Sequence, residues 1–442
     1  MAEQRLCPPP QMASDPAFLR ALDLDFVAGL VQQHLLVDAT LRAIEPAYVR
    51  WKDRDGSLLG FRLQVQMGDD VWQSYATVRT ATAARLASEA ERIIHRRGKV
   101  HCGVRSVAHV PEHGVLLVGY PLDRVMREMR HLVRASKVRG LLLDHCPEFV
   151  PEGLRISKGN SSGALISYKP ERRAVVRWQI GLMDEQGVVQ EHKNVWLRCH
   201  AQPQAQRSTV ACNAARLAGV VCPETLGIAH EQLLVESHVP GRAWQPVHGN
   251  DQLADVAKVA KTIARLHRAE LVASLPVHGP LAELDLALRS ADDLRRLDNE
   301  LGDTAQKIAD ELAATVPQPA ALVLAHGDLH PDQILIDDDA ALVDFDRACL
   351  APAAHDLATM RAHLVATHEQ EGERMWQLLA AAYGRVLPLP SGDDLSWWTA
   401  CALLRLAIRP FRSLHAQWPT VSARILAAAK SAAGAAGTEE LA

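Results

Sequence analysis

The residues best placed to do chemistry lie in one stretch, AHGDLHPDQILIDDDAALVDFDRACLAPAAHDLA, from 325 to 358. Two apolar runs, ILI and ALV, sit between charged clusters, so acids are threaded between segments that read as buried strands. Paired through a turn at Asp337–Asp339, ILI and ALV make a hairpin that brings Asp328 and Gln333 back beside Asp344. Such a group suits phosphoryl transfer. One carboxylate, Asp328, would orient an acceptor hydroxyl or accept its proton, and Gln333 and Asp344 would hold Mg2+ with the nucleotide phosphates. His326 and His330 are spaced like a zinc pair, but Gly327 and Pro331 break the helix such a pair needs, and His326 reads better as orienting the loop. Asp346 either assists the metal or caps the turn.

These residues need a frame. Residues 16–45 read as helices from the spacing of Phe18, Leu22, Phe26, Leu30 and Leu35. YVRWKDRDGSLLGFRLQV (48–65) reads as two strands about a turn at Asp55-Gly56, QSYATVRT (73–80) as a third, and 81–97 as a helix. Residues 165–201 repeat that outline. Both passes contain VRW, at 49–51 and 176–178, and an internal duplication of a small β-lobe competes evenly with two unrelated meanders. Between them, 115–143 reads as a strand and a basic helix, with Arg124, Arg127, Arg130, Arg134 and Lys137 on one face. After residue 240 the pattern turns helical, at 253–271, 281–315, 353–386 and 394–430. A β-rich segment followed by a helical one is a bilobal plan, with a cleft between lobes.

Composition narrows the classes. The chain has 442 residues, 48% hydrophobic and 23% charged, an ordinary globular balance spread over two or three domains. A net charge of -4 argues against nucleic acid or an anionic membrane as partner. No apolar run is long enough to span a bilayer, and MAEQRLCPPPQMASD does not read as a secretory signal. Eight cysteines without CxxC spacing read as reduced thiols in a cytoplasmic protein. No GxSxG elbow supports a hydrolase.

H-x-D-x-x-x-x-Q followed by a strand and Asp344-Phe345 resembles the catalytic and metal loops of the aminoglycoside phosphotransferase and choline kinase-like family. LVESHVPGRAW (234–244) resembles its hinge, IARLHRA (263–269) its first C-lobe helix, and PAAHDLA (352–358) the segment after the metal loop, with Asp356 as structural acid. The likeness spans roughly residues 160–430. It implies an α+β, bilobal protein-kinase-like fold, with a β-rich N-lobe at 151–240 and a helical C-lobe at 241–442. An extra α/β domain would precede it at 1–150, with a degenerate N-lobe copy as one reading of it. It further implies transfer from ATP or GTP to a hydroxyl of a sugar, amino sugar or natural-product intermediate. The implied catalytic residues are Asp328 and His326, and the implied Mg2+ ligands Gln333 and Asp344. Arg198, Lys169, Arg172, Arg173, Glu236 and His238 would meet the nucleotide.

Several positions depart from the family pattern. Gln333 replaces the usual Asn, as in the maltokinase-like branch. Arg198 stands for the third-strand lysine, the next helix (208–220) has no Glu to pair with it, and Glu171 occupies a glycine position in the phosphate-covering turn YKPERR. A degenerate, binding-only kinase fold is the competing reading. Trp397, Trp398, Arg405, Arg409 and Trp418 fall on late helices that line the acceptor pocket in the family, and equally suit a core. The partners implied are nucleotide and a small acceptor, with a homo-oligomer left open.

Overall fold

The computed structural model describes residues 7–12, 15–52, 56–94, 100–246 and 252–435, which form two compact units. The first takes in residues up to Pro203, Leu226–Val235 and Pro410–Trp418; the second takes in Gln204–Thr225, Glu236–Arg409 and the C-terminal helix.

The first unit opens with two short helices, α1 (Pro16–Ala21) and α2 (Leu24–Leu30). Asp15 and Asp23 cap them by accepting backbone N–H groups of their first turns. The expected helix ends by Leu35, because Thr40 already pairs with Gln66 in a sheet. That sheet holds β1 (Thr40–Lys52), β2 (Gly56–Met67) and β3 (Asp70–Thr80), then helix α3 (Ala83–Ile94), then β4 (Val107–Val110) and β5 (Val115–Gly119). Its order is β1-β2-β3-β5-β4. Alternation places Leu59, Phe61, Leu63 and Val65 in the core, with Arg62, Gln64 and Gln66 away from it. The expected turn at Asp55-Gly56 lies partly outside the described residues.

The basic segment is not one helix. Asp123 accepts the N–H groups of Val125 and Met126, both at 2.8 Å, and fixes a turn. A single 3-10 stretch at Arg127–His131 follows, and only then α4 (Ala135–His145). Arg124 through Lys137 therefore share no common helical face. Met126, Met129, Leu132, Val138 and Leu142 are buried instead, in the core of a second sheet.

That second sheet holds β6 (Arg155–Lys169), β7 (Arg173–Met183) and β8 (Val189–His200), then, after helix α5 (Ala205–Leu217) in sequence, β9 (Thr225–Ala229) and β10 (Leu233–Ser237). Its order is β6-β7-β8-β10-β9. Ala174, Val176, Trp178, Ile180 and Leu182 point inward at every second position of β7, and the Trp178 indole N–H donates to the Leu132 carbonyl at 2.8 Å. The two VRW tripeptides lie on non-equivalent strands, β1 and β7. They are coincidence, although the strand orders of the two sheets match.

The second unit is helical around small β-ribbons. β11 (Arg242–Ala243) leads to helices α6 (Gln252–His267), α7 (Pro280–Arg295) and α8 (Asn299–Ala314). β12 (Leu322–Ala325), the hairpin β13 (Ile334–Ile336) and β14 (Ala340–Leu342), and β15 (Cys349–Pro352) follow. Helices α9 (Ala353–Gly384), α10 (Gly392–Leu406), α11 (Arg409–Arg412) and α12 (Trp418–Ala435) complete the described chain. Trp397, Trp398 and Trp418 are each no more than 2% exposed, so they are core and not an acceptor platform. Among the described residues no helix is long and apolar enough to cross a membrane. All eight cysteines are free thiols.

Candidate active site

The loop from β12 to β13 and the loop from β14 to β15 carry the acidic motif, and antiparallel pairing sets them side by side. Ile334 faces Leu342 across the hairpin, and Leu322–Ala325 pairs with Cys349–Pro352. The hairpin turn is not merely solvated: Asp339 pairs with Arg265 at 2.6 Å, and the Asp337 carbonyl accepts from Lys258 at 2.7 Å.

Gly327 is where the two loops cross. Its φ is +79°, and a Cβ there would lie 2.0 Å from the Arg347 carbonyl oxygen, so no other residue fits. Asp356 pins the same loop by accepting the N–H groups of His326 at 2.6 Å and Gly327 at 2.9 Å. The His326 ring, fully buried, donates from Nε2 to the Val343 carbonyl at 2.9 Å and ties the two loops together.

Asp328 follows, half-buried, with Arg347 Nε 3.8 Å from its carboxylate. Burial alone would raise its carboxyl, but Arg347 and the rings of His330, His363 and His326 together hold it below the ordinary value. It is an anion at neutral pH. The Gln333 amide N–H2 group faces His330 Nε2 at 3.2 Å and Asp344 Oδ2 at 3.3 Å, which leaves the amide carbonyl as the end suited to a cation. Asp344 itself sits at φ +72°, a left-handed backbone that Asp tolerates better than most residues. A side-chain amide in contact with a carboxylate offers hard oxygen donors of the kind Mg2+ takes.

Sequence reading missed the next layer. His330 stacks on His363 of α9 with ring centroids 4.3 Å apart and planes 8° from parallel. Arg409 Nη1 lies 3.2 Å from His363 Nδ1. Burial lowers both imidazoles, and Arg409 lowers them further, so both are neutral beside Asp328. One signal was available: His363 lies seven residues after Asp356, on the same face of a helix.

Beneath the loop lies a buried ionic network. His267 donates from Nε2 to Asp356 at 3.3 Å and accepts from Tyr383. His355 lies 3.6 Å from Asp356 and 3.8 Å from Glu283, which also receives His278 at 2.7 Å and Arg405 at 2.8 Å. Glu283 is fully buried on α7, in register with Ala287, Ala291 and Leu294, and an acid on that apolar stripe was the clue. Burial works to raise its carboxyl, but Arg405, His278 and His355 prevail and bring it down to about 2. Asp356 is depressed further, held by His267 and His355 against its own desolvation.

Depressed carboxyls stabilise the fold only while ionised. Glu283 therefore contributes fully above its unfolded value of 4.5, and that contribution disappears as pH falls from 4.5 towards about 2. A depression of that size corresponds to about 3 kcal/mol. Urea unfolding between pH 6 and 2.5 should show the loss, and Glu283→Gln should flatten that slope.

The other expected nucleotide residues occupy defined places. Arg198 is buried on β8, opposite Val175. Lys169 and Arg172 are exposed and Arg173 half-buried about the β6–β7 turn, which the Arg172 N–H closes on the Lys169 carbonyl at 3.0 Å. Glu236 is buried near the end of β10, and His238 is exposed just beyond the strand. Helix α5 carries no Glu, and its Arg207 instead donates to the carbonyls of Ala348 at 2.6 Å and Arg347 at 2.7 Å, beside the Asp344 loop.

The sequence model of the phosphotransferase enzyme family matches residues 188–421, more than half the chain. The chain belongs to that family of small-molecule phosphotransferases. Its β-rich N-terminal part and helical C-terminal part form the protein-kinase-like fold. Solved structures similar to it include a choline kinase from Cryptosporidium parvum Iowa II, at 13% identity and TM-score 0.48, covering 67% of this chain and 94% of that one. A spectinomycin phosphotransferase bound to ADP and spectinomycin shows 13% identity and TM-score 0.46, covering 68% and 98%. A putative fructosamine-3-kinase from Thermobifida fusca shows 17% identity and TM-score 0.44, covering 66% and 98%. Comparison with curated proteins finds no match.

Proposed function

We propose that the protein transfers the terminal phosphate of ATP or GTP to a hydroxyl of a small molecule, with sugars, amino sugars and hydroxylated natural-product intermediates as the acceptor classes. The observation that carries this reading is the placement of an ionised Asp328 on a loop crossed and pinned by the one that bears Asp344, with Gln333 reaching across at 3.3 Å. Asp328 accepts a hydrogen bond from the acceptor hydroxyl and draws its proton as the bond to phosphorus forms. Gln333 and Asp344 would hold Mg2+, which when bound neutralises charge on the phosphates. His326 holds the loop geometry. Lys169, Arg172, Arg173 and Arg198 supply positive charge for the phosphates, and Glu236 and His238 border the base. The free thiols suit a reducing, cytoplasmic setting.

The test is consumption of ATP and GTP by the purified protein with Mg2+ across a pooled library of those acceptors. Acceptor-dependent turnover supports the reading. Asp344→Ala should weaken Mg2+-nucleotide binding by about 10–100-fold or more, since even indirect partners of a bound metal are worth that much. Nucleotide binding that ignores Mg2+ and Asp344, with no turnover, would instead favour a degenerate kinase fold, the reading that Arg198 and the Glu-free α5 keep in view.

A further inference from the structure

The two sheets of the first unit repeat one plan. Each has three antiparallel strands, a helix following in sequence, and two further strands, the last of which lies beside the third. The register fixes which residues correspond. Arg79 on β3 faces Leu58, two residues into β2, and Arg198 on β8 faces Val175, two residues into β7. The first sheet also keeps what the second lacks, an acid on the following helix: Glu89 of α3 meets Arg79 at 2.6 Å.

At this base the first sheet holds an anion, and the anion belongs to the chain itself. The carboxylate of Glu171, at the tip of the β6–β7 turn, receives a two-pronged contact from Arg124, Nε at 2.7 Å and Nη2 at 3.0 Å. Arg50 bonds it as well, and Arg79 Nη1 approaches to 3.7 Å. Forked guanidinium contacts of this kind are how proteins grip carboxylates and phosphates. The Glu171 N–H donates to Asp123 at 2.9 Å, and Asp123 also accepts from Tyr168 at 2.8 Å. Glu171 has φ +57°, where glycine would be at ease, and only 7% of its side chain is exposed. A glutamate in a glycine's backbone conformation, held at both its amide and its carboxylate, is a fastened turn.

We propose that the first sheet is a latch for the phosphate-covering turn, and that Glu171 is a positioning residue whose charge Arg50, Arg79 and Arg124 withdraw from the turn's basic face. The proposal rests on the reading that Lys169, Arg172 and Arg173 meet nucleotide phosphates. Unlatched, the carboxylate would move among those three cations, pairing with them or repelling phosphate. Latched, it leaves the turn fixed and its basic side chains to the nucleotide, which is preorganisation.

That logic makes an uneven prediction. Breaking the arginine side should do more harm than removing the glutamate. In the full-length protein, Arg124→Gln should weaken MgATP binding about 10-fold, with MgGTP measured in parallel. Glu171→Gln should change it less than about 3-fold, and the double variant should recover to the level of Glu171→Gln. Amide hydrogen exchange across 168–174 should accelerate in both single variants. Arg50→Gln repeats the test if Arg124→Gln folds poorly.

Unchanged exchange in these variants would overturn the latch. So would a double variant no better than Arg124→Gln, which would mark the cluster as a stabilising contact only. If exchange accelerates and MgATP binding does not move, Lys169→Ala and Arg172→Ala decide which idea has failed. Weakened binding in those two removes the latch, and unaltered binding removes the nucleotide reading of the turn.

Discussion

Asp328→Asn should lower acceptor-dependent turnover by about 10^2–10^4-fold while leaving MgATP affinity where it was. The substitution keeps the shape of the side chain and removes the charge that the Arg347 guanidinium stabilises. An amide can still touch the hydroxyl but cannot draw its proton or oppose the charge developing on it. The metal-facing pair, Gln333 with Asp344, is untouched by the change. Single-turnover kinetics alongside equilibrium nucleotide binding separate the two effects. Full turnover in Asp328→Asn would mean that the hydroxyl is oriented elsewhere, and a parallel loss of nucleotide binding would mean that Asp328 serves the metal.

Asp356→Ala should be the most destabilising single change in the site, at about 3–5 kcal/mol, the range for removing one partner from a buried charge group. It would strand the N–H groups of His326 and Gly327 and leave His267 and His355 without their shared carboxylate, in a place with no exposure to water. Asp356→Asn retains one oxygen to accept a backbone N–H, so its loss should be smaller but still measurable by urea unfolding. A loss below about 1 kcal/mol in the Asn variant would show that the loop is held by the crossing at Gly327 alone.

The catalytic hairpin was legible because its information is local. Gly327, Asp328, Gln333 and Asp344 flank one short hairpin, and the turn between ILI and ALV dictates which loops meet. Most of β1–β3, β5 and β6–β8 was legible for the same reason, since alternation is a nearest-neighbour property. What failed was information carried by distant partners. Thr40–Glu45 became strand because β2 offered a ladder, and the Arg124–Lys137 stripe dissolved because Asp123 fixed a turn and the methionines were drawn into a core. VRW hinted at a duplication, but the two copies fall on the non-equivalent strands β1 and β7, while the strand orders of the two sheets match. Glu283 and His363 stayed hidden because a buried acid or a stacked imidazole has meaning only beside partners many residues away.

The crossing at Gly327 also governs how this site can change. Two loops fixed at one point behave like the blades of scissors riveted together, so Asp328 cannot be re-spaced from Asp344 without drawing the rivet. Even one methyl group at the rivet is excluded by the Arg347 carbonyl. Adaptation to a new acceptor must therefore come from side chains outside the crossing, such as the stacked pair His330 and His363 with Arg409. The distance between the two carboxylates is inherited, and the choice of substrate is what remains adjustable.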